Sequence, residues 1–211
     1  MKETTKNILN ELIEKYPVLA DCERDIEAAF ISLLHTYQRG NKLLLCGNGG
    51  SAADCEHIVG ELMKSFKKKR PISTEEKAVL SKTEEGRAIA DVLEGGLKAI
   101  SLTSHLSLST AFANDKQPLA VFAQQLYVLG DKGDTLLCIS TSGNSKNCVY
   151  AATVARLKGM FVIALTGEKE SALSACSDVC VRVPETETYK VQELHLPVYH
   201  ALCAMLEEEW F

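Results

Sequence analysis

LLLCGNGGSAADCEHIVGE, residues 43–61, is the stretch on which the reading of this chain turns. Leu43-Leu44-Leu45-Cys46 is too short and too uniformly apolar for an amphipathic helix, and reads as a strand buried on both faces, as in a parallel sheet. Gly47-Asn48-Gly49-Gly50-Ser51 follows directly. Glycines let the backbone turn sharply and present its N–H groups with no Cβ in the way. Ser51 reads as the N-cap of a helix that Ala52-Ala53-Asp54 begins. A strand, a glycine turn and a helix N-terminus in succession make an anion site, because orphan N–H groups and the positive helix end point at one place. Four residues apart on that helix, His57 and Glu61 share a face. A phosphate cradle beside a His/Glu pair implies chemistry on a phosphorylated small molecule.

A second turn echoes the first. Thr135 to Ile139 reads as a strand that runs into Ser140-Thr141-Ser142-Gly143-Asn144-Ser145, before a helix at 146–158. Hydroxyls and a helix start together suit a phosphomonoester, since charge-assisted hydrogen bonds are stronger than neutral ones. Further strands are expected at 99–102, 161–165 and 179–183, alternating with helices at 119–129, 171–176 and 191–209. Five short apolar strands separated by helices predict an α/β fold, a five-stranded parallel sheet flanked on both faces. Ligands in such sheets bind beyond the carboxyl ends of the strands, where both turns sit.

The whole chain of 211 residues fits one domain. Its composition is 46% hydrophobic and 24% charged, with a formal net charge of −5. That balance gives no reason to expect nucleic acid or a membrane surface as partner, and no apolar run reaches the length of a membrane span. The eight cysteines lie mostly in apolar segments with no C-x-x-C pair, so they read as small core residues in a reducing compartment, the cytoplasm. Before the first strand, residues 4–38 form a helical pair with apolar faces at 8–13 and 26–37. Those faces exceed what one small sheet needs, which suggests that part of them packs against another subunit. Lys64 to Pro71 reads as a helix C-terminus whose cations sit at its negative end, rather than as a basic patch for phosphate or nucleic acid. Asp54 reads as a first-turn carboxylate, and residues 64–98 as a surface excursion with its own helix near 88–93.

Taken together, GNGGS with His57 and Glu61, then ISTSGNS, then VQELHLPVYH near the C-terminus resemble the sugar isomerase (SIS) domain, and within it the bacterial phosphoheptose isomerases. The resemblance covers nearly the whole chain outside 64–98. It implies a flavodoxin-like three-layer sandwich and the ketose–aldose isomerisation of sedoheptulose 7-phosphate to D-glycero-D-manno-heptose 7-phosphate. It also implies a homotetramer with Zn²⁺ at sites between subunits. Carried over, the metal ligands are His57, Glu61, Gln192 and His200, with Glu61 and His200 as the acid/base pair. Substrate contacts are Asn48, Gly49, Gly50, Ser51, Asn114, Asp115, Ser140, Thr141, Ser142, Ser145 and Gln192. Two departures concern the sugar's identity: the length of 64–98, and Tyr189 where these isomerases tend to carry an acidic residue.

The residue types suit that chemistry. An enediol(ate) route needs a base for the C–H proton, a second group for the oxygen protons and positive charge near the oxyanion. The rival reading is a non-catalytic SIS protein that binds a phosphosugar or serves in assembly, as replication-initiation relatives do. Those relatives lose the histidine matching His200, which this chain keeps. His195 and Glu193 could be mistaken for ligands. On an unbroken helix Gln192 and His200 would stand about 12 Å apart along the axis, too far to share an ion. Either Pro197 breaks that helix, or one of the two comes from a neighbouring chain.

Overall fold

The apolar runs become strands because each can bury both of its faces, and alternate residues enter two different cores. In the computed structural model, which describes residues 1–211, β1 (Leu43–Gly47), β2 (Ala99–Ser101), β3 (Thr135–Ile139), β4 (Phe161–Gly167) and β5 (Val179–Val183) form one parallel sheet ordered β2-β1-β3-β4-β5. This is the flavodoxin-like order, whose topological switch point lies between β1 and β3. Leu43, Leu45, Leu137, Ile139, Ile163, Leu165, Val181 and Val183 face one core. It is closed by α1 (Glu3–Lys15), α2 (Glu23–Gln38), α3 (Gly50–Met63) and α10 (Thr188–Trp210). Leu44, Cys46, Leu136, Cys138, Val162 and Ala164 face the other, under α7 (Val121–Leu129), α8 (Lys146–Leu157) and α9 (Ala172–Cys176). The three-layer sandwich is as expected. All eight cysteines are free thiols, six of them buried.

Several expectations need correction. The faces of α1 and α2 are not surplus: Leu9, Leu12, Ile26, Ala29, Phe30, Leu33 and Tyr37 are all buried within the chain. The reason is the length of α10. At 23 residues it outruns the sheet and gives α1 a partner of its own. Pro197 does not break α10, which is one continuous helix with the proline buried inside it. The excursion holds two short helices, α4 (Thr74–Leu80) and α5 (Glu84–Ile89), in place of one near 88–93. Side-chain caps start both, Ser73 in a capping box with Glu76 and Thr83 on the N–H of Gly86. A helix the sequence reading missed, α6 (Leu106–Asp115), follows β2 and buries none of its residues. Its low amphipathicity left no periodic signal to read.

His195 is a core residue. Fully buried on α10, it approaches the carbonyl of Thr166 with Nε2 at 3.2 Å, and its Nδ1 has no partner. Burial disfavours the imidazolium and pushes its pKa down to about 4. The unfolded chain therefore takes up this proton before the folded one does. Its contribution to stability is intact above the ordinary histidine pKa of about 6.5, and is lost progressively as pH falls from there to about 4. Over that window the loss is of order 3 kcal/mol. Denaturant titrations at pH 7, 5.5 and 4.5 should show it. In His195→Gln, whose amide can still donate to Thr166, the fall should be shallower than in the parent protein.

Candidate functional site

The two turns meet at the switch point. Gly49, with φ +56°, lets the chain turn from β1 into α3, and it is Gly49, not Ser51, that occupies the N-cap position. Ser51 instead lies buried within the first turn of α3. Gly50 is required by a close approach: a Cβ there would fall 2.6 Å from Nε2 of Gln192. In the second turn, Ser140 and Ser145 pair their hydroxyls at 3.0 Å, and the backbone N–H of Asn144 donates to Ser142 Oγ. Ser145 is the N-cap residue of α8, yet its side chain caps no N–H. Of the first-turn N–H groups of α8, that of Cys148 donates to Asn147 Oδ1 at 3.0 Å, and those of Lys146 and Asn147 stay open for an anion. A residue the sequence reading passed over ties the turns together. Asn147 exchanges two amide hydrogen bonds with Asn48, at 2.7 and 3.0 Å. Only the spatial adjacency of β1 and β3 could reveal that pair. Beside it, Thr141, Ser142 and Asn144 open onto a polar hollow of about 240 Å³ shared with Gly167, Glu168 and Glu185.

Two turns further along α3, His57 and Glu61 meet His200 of α10. Nε2 of His57 lies 3.2 Å from Glu61 Oε1 and 3.5 Å from Nε2 of His200. Burial, helped by the neighbouring His57, lowers the pKa of His200. His200 also lines a groove of about 260 Å³ between α1 and α10, with Lys15, Tyr16, Phe66 and Lys67 among its walls. On the other side of His57, Nδ1 stands 3.1 Å from the hydroxyl of Tyr199, which in turn donates to Asp54 at 3.1 Å. Asp54 is thus no first-turn carboxylate, since α3 begins at Gly50 and has no acidic residue in its first turn. Burial raises its pKa.

The remaining candidates are scattered. Gln192 packs against Gly50 at the N-terminus of α3, about 10 Å along that helix from His57, and no hydrogen bond joins it to the histidines. Asn114 and Asp115 are exposed at the end of α6, bonded to each other at 2.9 Å and to neither turn. Tyr189 is exposed near the start of α10.

Do the residues present suit a metal? Two imidazoles and a carboxylate are a fitting donor set for Zn²⁺. Oε2 of Glu61 is buried with no hydrogen-bond partner and only the Lys64 ammonium 3.9 Å away, an arrangement that a closer cation would relieve. Ligand atoms about 2.0–2.2 Å from one tetrahedral ion lie about 3.3–3.6 Å from each other, close to the two spacings observed. The side chains do not gather into a cluster that would hold an ion, however. The donors fit; the cage is incomplete within one chain.

Arg70 and Glu207, a pair without a sequence signal, hold this face in place. The basic stretch at 64–71 does set a cation at the C-terminal end of α3, but that cation, Arg70, is buried, its Nε 2.7 Å from a buried Glu207. Its other nitrogens donate to the carbonyls of Leu62 and Glu61 at 2.8 and 3.1 Å. Burial alone would raise the pKa of Glu207, but N–H groups of Phe66 and Lys67 and the Arg70 guanidinium outweigh it and leave it lowered. Removing one partner of a buried pair costs about 3–5 kcal/mol. Arg70→Met should therefore lower the stability measured in urea by about that amount, with the loss seen first at Glu61.

Comparison with known proteins agrees with this fold. The SIS domain family model matches residues 9–95 and 86–167. A phosphoheptose isomerase of Aneurinibacillus thermoaerophilus is 36% identical over 207 residues, spanning 97% of this chain and 92% of that protein. One of Thiobacillus denitrificans is 40% identical over 181 residues, 84% of this chain and 80% of that protein. Among solved structures, a phosphoheptose isomerase from Francisella tularensis matches with a TM-score of 0.75 and 28% identity over 99% of this chain and 100% of that one. That of Neisseria gonorrhoeae gives 0.73 and 30%, over 96% and 98%.

Proposed function

The chain belongs to the SIS domain family, among its phosphoheptose isomerases, and on that premise we propose that it interconverts sedoheptulose 7-phosphate and D-glycero-D-manno-heptose 7-phosphate through an enediol(ate). The observation that carries this reading is α3. Its N-terminus forms the anion turn with Asn48, Gly49, Gly50 and Ser51, and its exposed face sets His57 and Glu61 against His200. One helix thus links the group that binds phosphate to the groups that move protons.

In this reading the phosphate rests on the N–H groups of the two turns, with Ser140, Thr141, Ser142 and Ser145 adding hydroxyl donors. Glu61 takes the proton from the carbon beside the carbonyl. Its Oε2 accepts no hydrogen bond, the Lys64 ammonium standing 3.9 Å away, and keeps a lone pair free for that task. The same carboxyl returns the proton to the adjacent carbon. His200 moves the proton between the hydroxyl and carbonyl oxygens. Zn²⁺ held by His57, Glu61 and His200 would supply positive charge for the developing oxyanion.

We also propose that the site is completed between chains of a homotetramer. Gln192 and His200 lie on one continuous helix, so Gln192 of the same chain stands at the phosphate turn rather than beside the histidines. Helix α6, with no buried residue, exposes Leu106 and Leu108. It carries Asn114 and Asp115 away from their own turns and suits packing on a neighbour.

Purified protein incubated with a panel of ketose phosphates should yield an aldose phosphate from the seven-carbon substrate, and none from the dephosphorylated sugar. Glu61→Gln keeps the shape and removes the base, so kcat should fall by about 10²–10⁴-fold while substrate still binds. An equally active variant would reassign the base. Subunit sharing has its own assay: inactive Glu61→Gln and His200→Ala proteins are dissociated, mixed and reassembled. Recovered activity would show that these two groups meet across an interface. Since they already face one side of His57 within one chain, the sharper mixture pairs Gln192→Ala with His200→Ala, where recovery is expected.

A further inference from the structure

Resting on the reading of the two turns as the seat of the phosphate, we propose that Asn147 is a positioning residue. Its amide clasps that of Asn48 and so holds the glycine turn at a fixed place beside the start of α8. The glycine turn needs such a tether. Gly47, Gly49 and Gly50 give its backbone more freedom to lose on ordering than other residues would, and no side chain caps α3. Of residues 47–51 only Asn48 makes a hydrogen bond through its side chain. Both of its partners, Asn147 and Cys148, stand on α8.

One backbone group settles the direction of every bond in the clasp. The N–H of Cys148 can only donate, and it lies 3.0 Å from Oδ1 of Asn147. The oxygen of Asn147 therefore faces that way, and its Nδ2 donates to Oδ1 of Asn48 at 2.7 Å. Nδ2 of Asn48 donates back to Asn147 Oδ1 at 3.0 Å. Flipping either amide alone sets donor against donor and acceptor against acceptor. Flipping both turns Nδ2 of Asn147 toward the N–H of Cys148. The pair thus has one arrangement.

The open N–H groups lie on either side of it. Those of Gly49 and Gly50 on one turn, and of Lys146 and Asn147 on the other, have no partner within the chain. Each belongs to a clasp residue or lies within two positions of one. A dianion seated on both turns needs these donors at one separation, and the clasp sets that separation before the anion arrives. Such preorganisation is expressed as affinity. The clasp itself stands in the open, with Asn48 exposed. Water competes for its bonds there, so it contributes little to stability. Its loss is felt by the ligand and not by the fold.

The test compares Asn147→Ala, Asn48→Ala and the double variant with the wild type. It reads KM and kcat for sedoheptulose 7-phosphate, the dissociation constant of inorganic phosphate by calorimetry, and the thermal midpoint. Asn147→Ala should raise KM and the phosphate constant about tenfold, the effect of one or two neutral hydrogen bonds. Its kcat should stay within about twofold and its midpoint within about 2 °C. In the Asn48→Ala background the same change should do nothing further, because its partner is already gone. Effects that multiply in the double variant overturn the proposal, as does a folded Asn147→Ala with unchanged KM and phosphate affinity. A merely structural role would lower the midpoint and leave KM alone, so an Asn147→Ala protein that fails to fold also overturns it. Wild-type protein that binds phosphate and isomerises no sugar would overturn the function read above, while the phosphate constants would still decide the clasp. A wild type that binds neither sugar phosphate nor inorganic phosphate overturns both.

Discussion

The buried ion pair between Arg70 and Glu207 is the contact on which the working face of this protein depends. Taking both charges out of water is costly, and the cost is met by saturation. Glu207 accepts from three backbone N–H groups, those of Phe66, Lys67 and Lys68. Arg70 caps the open carbonyls of Glu61 and Leu62 at the C-terminal end of α3 and stacks over the ring of Phe211. One guanidinium therefore joins the start of the excursion, the last turn of α3 and the last turn of α10. Glu61 and His200 lie on those two helices, and their spacing is only as firm as that junction.

Helix α3 unites two demands that are usually met by separate elements. Its N-terminus must be open and positive to receive an anion, which the glycine turn and the absence of a side-chain cap allow. Its exposed face must hold an imidazole and a carboxylate in register, which a spacing of four residues provides. In the function proposed, proton transfer then takes place at a fixed distance from the phosphate. A rigid rod sets that distance, and a loop would set it less sharply. The parallel order of the sheet then brings the serine-rich turn alongside, because β1 and β3 are neighbours.

Continuity of α10 has a consequence for assembly. A proline inside a helix removes one backbone hydrogen bond and usually bends or ends it. Here Pro197 is buried and the helix runs on, so Gln192 is kept at the glycine turn and His200 beside His57. The donor set around His57 is left open on one side. Helix α6 and its end residues are turned outward. These features favour a site finished by a neighbour.

Much of this was legible in the residues alone. Alternating apolar runs and glycine or serine turns determined the parallel sheet, its flanking helices and the place of the anion turns, because burial on both faces and backbone N–H exposure are local demands with local signatures. The pair His57 and Glu61 was legible for the same reason, through helical spacing. Helix α6 was not, for it buries nothing and so carries no pattern. Nor were Arg70 with Glu207, Asn147 with Asn48, or Tyr199 with Asp54. Each of these pairs joins residues about a hundred or more positions apart. A polar side chain carries no mark of the distant partner that satisfies it, and only the packing of α3 against α10, and of β1 beside β3, decided which charges and hydroxyls would meet.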